Sequence, residues 1–265
     1  MDIIVCIKQV PDARHVDIDS ETGNLIREGV DSQVNIYDLH ALEYAIKLRE
    51  SLGGTITALC MGPPQAKQAL QEMLMLGADK ALLVSDRAFA GSDVLATSYT
   101  LYQAILTLDH FDLIICGKQT TDGDTAQVGP ALAEFLNLPH AAWVTTILDA
   151  SPLAITVRQD LGETLLEVRI AYPGLITVEQ LKTAPRLPSY QRKKQFCTTE
   201  IPTLTLSDLP DKDPNNYGSK GSPTQVERIF PPPTNTTKTL LTGSSAELAK
   251  EIYQVLLTKK YLTGD

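Results

Sequence analysis

The feature that most constrains this chain is the alternation, across residues 1–150, of short apolar runs with amphipathic segments. Ile3–Ile7, Thr55–Leu59, Ala81–Val84 and Leu113–Ile115 are too short for buried helices. They are apolar at successive positions, the pattern of parallel strands covered on both faces. Between them, Leu39, Leu42, Ile46 and Arg49 fall at helical spacing, as do Leu70, Met73 and Leu74, with Leu76-Gly77 as a helix end and its glycine cap. Val94, Leu101, Ile105 and Leu108 mark a third helix beginning near Ser92 or Asp93. Parallel strands joined by right-handed helical crossovers give a doubly wound α/β sheet. Ligands of such sheets sit beyond the carboxyl ends of the strands, where the strand order reverses. Lys8, Met61 and Gly117, each just past or at the end of an apolar run, are therefore the positions at which a ligand is sought.

One of these strand ends carries a polar, glycine-bearing loop, Cys116–Pro130, of sequence C-G-K-Q-T-T-D-G-D-T-A-Q-V-G-P. The spacing predicts a helix starting near Thr125 and carrying Ala131, Leu132, Ala133, Phe135 and Leu136. Free backbone N–H groups at a helix N-terminus bind phosphate readily. Gly117, Gly123 and Gly129 allow sharp turns and close approach of a ligand. The run is neither G-x-G-x-x-G nor a Walker A loop, and an ordinary strand-to-helix turn would have the same spacing.

Past Pro139 the sequence becomes β-rich. Ala142–Leu148, Ala154–Arg158, Thr164–Ala171 and Leu175–Val178 read as strands, with Leu161-Gly162-Glu163 as a hairpin turn. From Lys182 to about Thr242 runs a polar, proline-rich arm that includes Pro231-Pro232-Pro233. Alone it has too little apolar surface to offset its ordering entropy, so it reads as a linker or as a strap over a partner. The chain then carries Ser244-Ser245-Ala246-Glu247, a capping-box pattern, followed by Leu248, Ile252, Val255 and Leu256 on one helical face. The division expected is residues 1–182 as an α/β domain and 183–265 as a loop, an extended arm and a terminal helix.

Taken together, Val5–Asp12 (V-C-I-K-Q-V-P-D), Val34–Asp38 (V-N-I-Y-D), Cys60–Pro64 (C-M-G-P-P), Leu76–Asp79 (L-G-A-D), the loop Gly117–Pro130 and Ala184–Tyr190 (A-P-R-L-P-S-Y) resemble, in order, segments of the electron-transfer flavoprotein β subunit. The resemblance implies a doubly wound parallel sheet of the adenine-nucleotide α-hydrolase-like type. It adds a β-rich extension and an extended C-terminal arm ending in a helix that lies on an α subunit. It also implies an adenine-nucleotide site. Cys6 and Ile7 would line the adenine end, with Asn35, Ile36, Tyr37 and Asp38 beside it and Met61 closing the base pocket, and Lys8 would also contact the cofactor. Gly117, Lys118, Gln119, Thr120, Thr121, Asp122, Gly123 and Asp124 would wrap the ribose. Thr125, Ala126, Gln127 and Val128 would hold the phosphates, and the small residues Gly123, Ala126 and Gly129 would leave room for the rest of a dinucleotide. Asp122 and Asp124 could accept ribose hydroxyls, pointing away from phosphate, or serve as turn residues.

In the resembled family the ligand is either a structural AMP, in one-flavin carriers, or the ADP half of an FAD, in an electron-bifurcating branch. D-G-D-T-A-Q-V-G-P looks like the bifurcating branch, in which NADH, ferredoxin and a partner flavin dehydrogenase exchange electrons through the heterodimer. Lys8 and Gln9 are the polar groups expected to tune such a flavin. Arg186, Leu187 and Tyr190 would meet the dehydrogenase, of acyl-CoA or 2-hydroxy acid type, with Leu187 or Tyr190 as apolar anchor. Two other readings stand beside this one: a simple one-flavin carrier, and a non-redox nucleotide-binding protein resembling universal stress proteins.

Composition bounds the alternatives. A net charge of −9 argues against nucleic acid, and the one basic cluster, Arg192-Lys193-Lys194, is short. No apolar run approaches the roughly 20 residues that span a bilayer. The first apolar run is too short for a signal peptide, so a cytoplasmic location without membrane insertion is expected. Cys6, Cys60, Cys116 and Cys197 form no C-x-x-C pair, and the first three read as buried, reduced thiols. His15, His40, His110 and His140 are scattered and read as surface or cap residues. No hydrolytic triad or metal-ligand spacing is present, so no side chain is assigned a catalytic role.

Overall fold

The computed structural model describes residues 1–11, 17–18, 25–26, 32–227 and 238–262, in two compact units, Met1–Ile229 and Phe230–Asp265. Asp12, His15 and Pro231-Pro232-Pro233 lie outside the described residues. The first unit runs β1 (Asp2–Ile7), β2 (Gln9–Pro11), β3 (Asp17–Ile18), β4 (Leu25–Ile26), β5 (Ser32–Val34), α1 (Ile36–Leu52), β6 (Thr55–Met61), α2 (Lys67–Leu76), β7 (Lys80–Val84), α3 (Val94–Ile105), β8 (Leu113–Gly117) and α4 (Val128–Phe135). It continues with β9 (His140–Ala150), β10 (Ala154–Asp160), β11 (Leu165–Ala171), β12 (Gly174–Val178), α5 (Tyr190–Phe196), β13 (Thr203–Leu204) and α6 (Gly218–Gly221).

A nine-stranded sheet, in the order β11-β10-β9-β12-β8-β1-β6-β7-β13, forms the frame. From β9 to β13 all neighbours are parallel, while β10 runs antiparallel to both β9 and β11. The β-rich stretch is thus a hairpin extension of the same sheet, and Leu161–Thr164 forms its turn, with Leu161 N–H donating to the Thr164 carbonyl at 2.9 Å. Strand alternation explains the two cores. Ile3, Val5 and Ile7 point towards α1 and α2, while Ile4 and Cys6 point towards α3 and α4. A strand with apolar residues on both faces can only sit in the middle of such a sandwich.

The connection from β1 leads through α1 to β6 on one side, whereas β8 leads through α4 towards β9 and β12 on the other. The order therefore reverses between β1 and β8, and their carboxyl ends part to leave a crevice. The helix expected near Thr125 begins at Val128. Asp124 and Ala126 have φ of 52° and 56°, left-handed conformations that cannot continue into a right-handed helix.

Residues 183–227, expected to be part of an arm, are instead built into the first unit. β13 extends the sheet beyond β7, and Ile201, Leu209 and Tyr217 are buried. These apolar residues are isolated in sequence, so no run announces them, yet together they cover the edge of the core.

The second unit contains α7 (Ser245–Thr258), and its capping box is present as expected, with Ser244 and Glu247 bonding each other's backbone N–H groups. Among the described residues no helix is long and apolar enough to cross a membrane.

Leu70, on α2, is 0% exposed, whereas Leu153, between β9 and β10, is 78% exposed. Leu70→Ala should lower unfolding stability by about 2–5 kcal/mol, and Leu153→Ala should change it by no more than about 0.5 kcal/mol. Urea titration followed by circular dichroism measures both; equal losses would contradict the assigned core.

Candidate functional site

The crevice is closed on one side by the entry to α1. Asn35 sits just before this helix, 0% exposed. Its backbone N–H donates to the Lys8 carbonyl at 3.0 Å. Its side-chain amide donates to the Gln119 carbonyl at 2.9 Å and accepts from Thr121 N–H at 3.3 Å. A buried amide satisfied in this way fixes the start of α1 to the loop after β8.

Asp38 makes the second tie. Its buried carboxylate accepts the Lys8 N–H at 2.7 Å and also receives bonds from Asn35 and the Gly117 N–H. Burial is the dominant influence on its pKa and raises it from 3.8 to about 7, against those hydrogen bonds and the Lys8 charge. Gly117 is required at this point: a Cβ there would lie 2.3 Å from Asp38 Oδ1 and 2.7 Å from Tyr37 Cβ. Ile36 faces solvent beside these packed groups, and Tyr37 is half-buried.

The loop that follows β8 is bound at several points. Lys8 Nζ reaches Asp122 Oδ1 at 2.8 Å and Oδ2 at 2.6 Å. Partial burial would raise the Asp122 pKa, but the Lys8 hydrogen bonds and charge outweigh it and hold the carboxyl below its ordinary range. Asp124 accepts the Gln119 side-chain amide, and the Asp124 N–H donates to the Thr120 carbonyl at 3.0 Å. Both aspartates therefore have partners within the loop. Thr120 Oγ1 accepts a 3.4 Å bond from Gly123 N–H, and a Cβ at Gly123 would meet nothing nearer than that oxygen, at 3.5 Å.

The backbone amides of Thr125, Ala126, Gln127, Val128 and Gly129 have no acceptor among the described residues. Free amides at a helix N-terminus can accept an anion, favoured further by the helix dipole by about 0.3–2 kcal/mol. Gly129, however, is small for packing rather than for ligand room. Its Cβ would stand 2.4 Å from Thr177 Cγ2 on β12.

The other residues expected at the site are placed less directly. Cys6 and Ile7 are buried in β1, their side chains in the two opposite cores, so a ligand can meet only their backbone. Met61 ends β6 at the same edge of the sheet and is partly buried. Gln9 pairs with Val34 in the short β2–β5 ladder. Cys6, Cys60 and Cys116 are buried and unpaired, as expected, and Cys197 is exposed. The Cys116 thiol is pushed well above its ordinary pKa by the Cys6 hydrogen bond and by burial. His40 differs from expectation. It is buried, with Nδ1 accepting the Leu181 N–H at 3.0 Å, a partner 141 positions away.

A cluster beside the loop carries no pattern in the sequence. Lys118 Nζ pairs with Glu179 at 2.6 Å and lies 4.8 Å from the Trp143 ring centre. Trp143, at φ 57°, occupies a β-bulge where Ala142 and Trp143 together face Thr177. Left-handed geometry at a tryptophan is strained, and the Trp143 N–H bond to Thr177 Oγ1 at 3.0 Å helps to hold it.

Two cavities, of about 550 and about 620 Å3, lie away from the crevice. One lies at the opposite edge of the sheet, by Asp2, Lys80 and Phe111, and the other between Tyr44 on α1 and Asp149 on β9. The chemistry described above belongs to a ledge of loops at the carboxyl ends of β1 and β8. Among the described residues no cluster of three or more His, Cys, Asp or Glu could hold a metal ion.

The Asp38 carboxyl should imprint on stability. Its folded-state pKa is raised, so its contribution is complete below about pH 3.8 and is lost as pH rises through about 7. The span amounts to on the order of 4 kcal/mol at about 1.4 kcal/mol per pH unit. Asp38→Asn should flatten the fall in stability between about pH 4 and 7, while costing about 1–3 kcal/mol from an imperfectly paired amide. Urea midpoints measured across this range for both proteins test it; parallel pH slopes would show that Asp38 titrates normally.

The electron transfer flavoprotein domain family matches residues 22–209. The electron transfer flavoprotein subunit beta of Thermoanaerobacterium thermosaccharolyticum is 42% identical over 258 residues, covering 97% of this chain and 98% of that protein. The subunit of the same name from Clostridium acetobutylicum is 44% identical over 229 residues, covering 86% and 87%. Protein FixA of Sinorhizobium fredii is 39% identical over 266 residues, covering 97% and 93%. With the match running through the crevice, the loop after β8 and most of the sheet, the chain belongs to the electron transfer flavoprotein β-subunit family.

Proposed function

We propose that this chain is the β subunit of an electron-bifurcating flavoprotein heterodimer and binds FAD in the crevice between β1 and β8. The heterodimer exchanges electrons between NADH, ferredoxin and a partner flavin dehydrogenase. The observation that carries the reading is the run of amides from Thr125 to Gly129, free of internal acceptors and opening on a ledge framed by Lys8, Asn35 and the loop. That donor set fits a phosphate, and no side chain need move to expose it.

Bound FAD would supply hydride acceptance and one-electron transfer, chemistry that no side chain of this chain provides. The protein's own part is to hold and orient the nucleotide. The amides of residues 125–129 take phosphate oxygens. The Lys8 ammonium, on Asp122 at 2.6 Å, is the nearest mobile cation and offsets the carboxylates of Asp122 and Asp124. The solvent-facing Leu187 and Tyr190 serve as the apolar anchor for the dehydrogenase, and the apolar face of α7 serves the α subunit.

A second reading, a one-flavin carrier with structural AMP, draws on the same amides, because they take a phosphate whichever nucleotide bears it. It also gains from Gly129, whose small size is used up by Thr177. Releasing the nucleotides from the purified heterodimer by denaturation separates the two. Two FAD and no AMP per heterodimer is the expected result; one FAD and one AMP would replace the bifurcating reading with the carrier.

Lys8→Met tests the electrostatics of the ledge. The Lys8–Asp122 pair is largely solvated, so its loss should cost no more than about 1 kcal/mol of stability. Nucleotide affinity, measured by calorimetry on the stripped heterodimer, should fall about five- to tenfold, since Asp122 would then face the phosphate uncompensated. Unchanged affinity would place the phosphates away from Lys8.

A further inference from the structure

The segment carrying Leu187 and Tyr190 is fastened on both sides by arginines. On one side, Arg186 reaches α1. Its Nε and Nη2 donate to Glu43 Oε2 and Oε1 at 2.9 and 3.1 Å, and its Nη1 donates to Glu50 Oε1 at 3.0 Å. The Arg186 backbone N–H adds a 3.3 Å bond to the same Glu43 carboxylate. Glu43 is buried, so this planar fork ends inside the fold rather than on a rim. On the other side, Arg192 reaches the end of α2. It donates to the Leu74 carbonyl at 2.8 Å and to the Ala78 carbonyl, and its guanidinium lies 4.9 Å from the Phe196 ring centre. Carbonyls at a helix C-terminus are the favoured partners of a cation. Between the two, the Ser189 N–H donates to the Met75 carbonyl at 3.4 Å, and the Ser189 side chain caps α5 through the Arg192 N–H.

What the arginines hold in place is conspicuous. Leu187 is 86% and Tyr190 83% exposed, two large apolar side chains projecting from backbone that is tied on either side. A free loop bearing such groups would have to be ordered each time it bound, and that ordering weakens association.

We infer that Arg186 and Arg192 are positioning residues that hold residues 187–190 in the shape in which Leu187 and Tyr190 enter an apolar pocket of the partner dehydrogenase. The inference rests on the partner-loop reading above. It gives Arg186 a role different from direct contact. Its Nε, Nη1 and Nη2 are already engaged by Glu43 and Glu50, so the side chain acts through its neighbours.

The test uses the heterodimer with the α subunit as wild type, Arg186→Met, Arg192→Met, Leu187→Ala with Tyr190→Ala, and Arg186→Met combined with that pair. Amide hydrogen exchange at Leu187, Ser189 and Tyr190 is measured in each. KM and kcat for the heterodimer as electron acceptor are measured with an acyl-CoA dehydrogenase and with a 2-hydroxy acid dehydrogenase. Each arginine variant should speed exchange about tenfold or more and raise KM about tenfold, with kcat changed less than about twofold. Arg186→Met should add nothing to KM once both anchors are alanine, because it acts through them.

Unaltered exchange in both arginine variants would overturn the inference, since the loop would keep its shape without them. A KM effect that adds fully to the double-alanine variant would also overturn it, showing that Arg186 touches the partner itself. If the double-alanine variant leaves KM unchanged, or neither dehydrogenase reduces the wild type, the partner-loop reading falls instead. The exchange rates still decide whether the arginines hold the loop.

Discussion

Two buried side chains at the start of α1 tie three separate parts of the sequence together, and the functional end of the molecule depends on them. Asn35 bonds the backbone after β1 and the loop after β8; Asp38 accepts N–H groups from Lys8 and Gly117, at the same two strand ends. Both work because β1 and β8 are neighbours whose connections leave in opposite directions. The parting strands expose backbone donors that have no ladder partner, and an orphaned buried donor costs about 1–3 kcal/mol. Asn35 and Asp38 satisfy them from the side of α1. The amides from Thr125 to Gly129 have no acceptor among the described residues. The crevice is thus divided between groups that stabilise the fold and groups available for binding.

The same helix carries a second set of ties further along. Glu43 and Glu50 lie on α1 beyond Asp38, and they receive Arg186, while His40, between Asp38 and Glu43, accepts the Leu181 N–H. From Asp38 to Glu50 is about 18 Å at 1.5 Å per residue. One rigid element therefore stands behind both the nucleotide ledge and the exposed loop, at a separation that no single side chain could bridge. Under the proposed function, such an element would fix the distance between the cofactor ledge and the surface offered to the dehydrogenase.

How far the sequence disclosed this follows from the range of the interactions involved. β1, β6, β7 and β8 were legible because each is apolar on both faces, and α1, α2 and α3 because their periodicity is local. The start of α4 was placed three residues early. The left-handed residues Asp124 and Ala126 are not glycines, and nothing in their identity signals their conformation. Residues 183–227 read as an arm because Ile201, Leu209 and Tyr217 are single apolar residues among polar ones; their burial is decided by distant partners. The Glu43–Arg186 fork spans 143 positions, beyond the reach of any pattern. The ledge itself was located from strand ends alone. The assignment of its loop came from resemblance, and family membership sets aside the non-redox reading that the sheet and a phosphate loop would equally have allowed.

The two units contrast in how their apolar surface is handled. In the first, isolated apolar residues are gathered under β13 and α6, and both faces of the sheet from β12 to β7 are covered. The second contains a helix of 14 residues with a complete capping box, yet Ile252, Tyr253 and Val255 remain about half exposed. A cap contributes about 1 kcal/mol, and isolated helices of this length are marginal in water. Local sequence therefore specifies where α7 starts and which face is apolar, but supplies too little energy to hold it. Its stability has to come from a surface on which that face is buried.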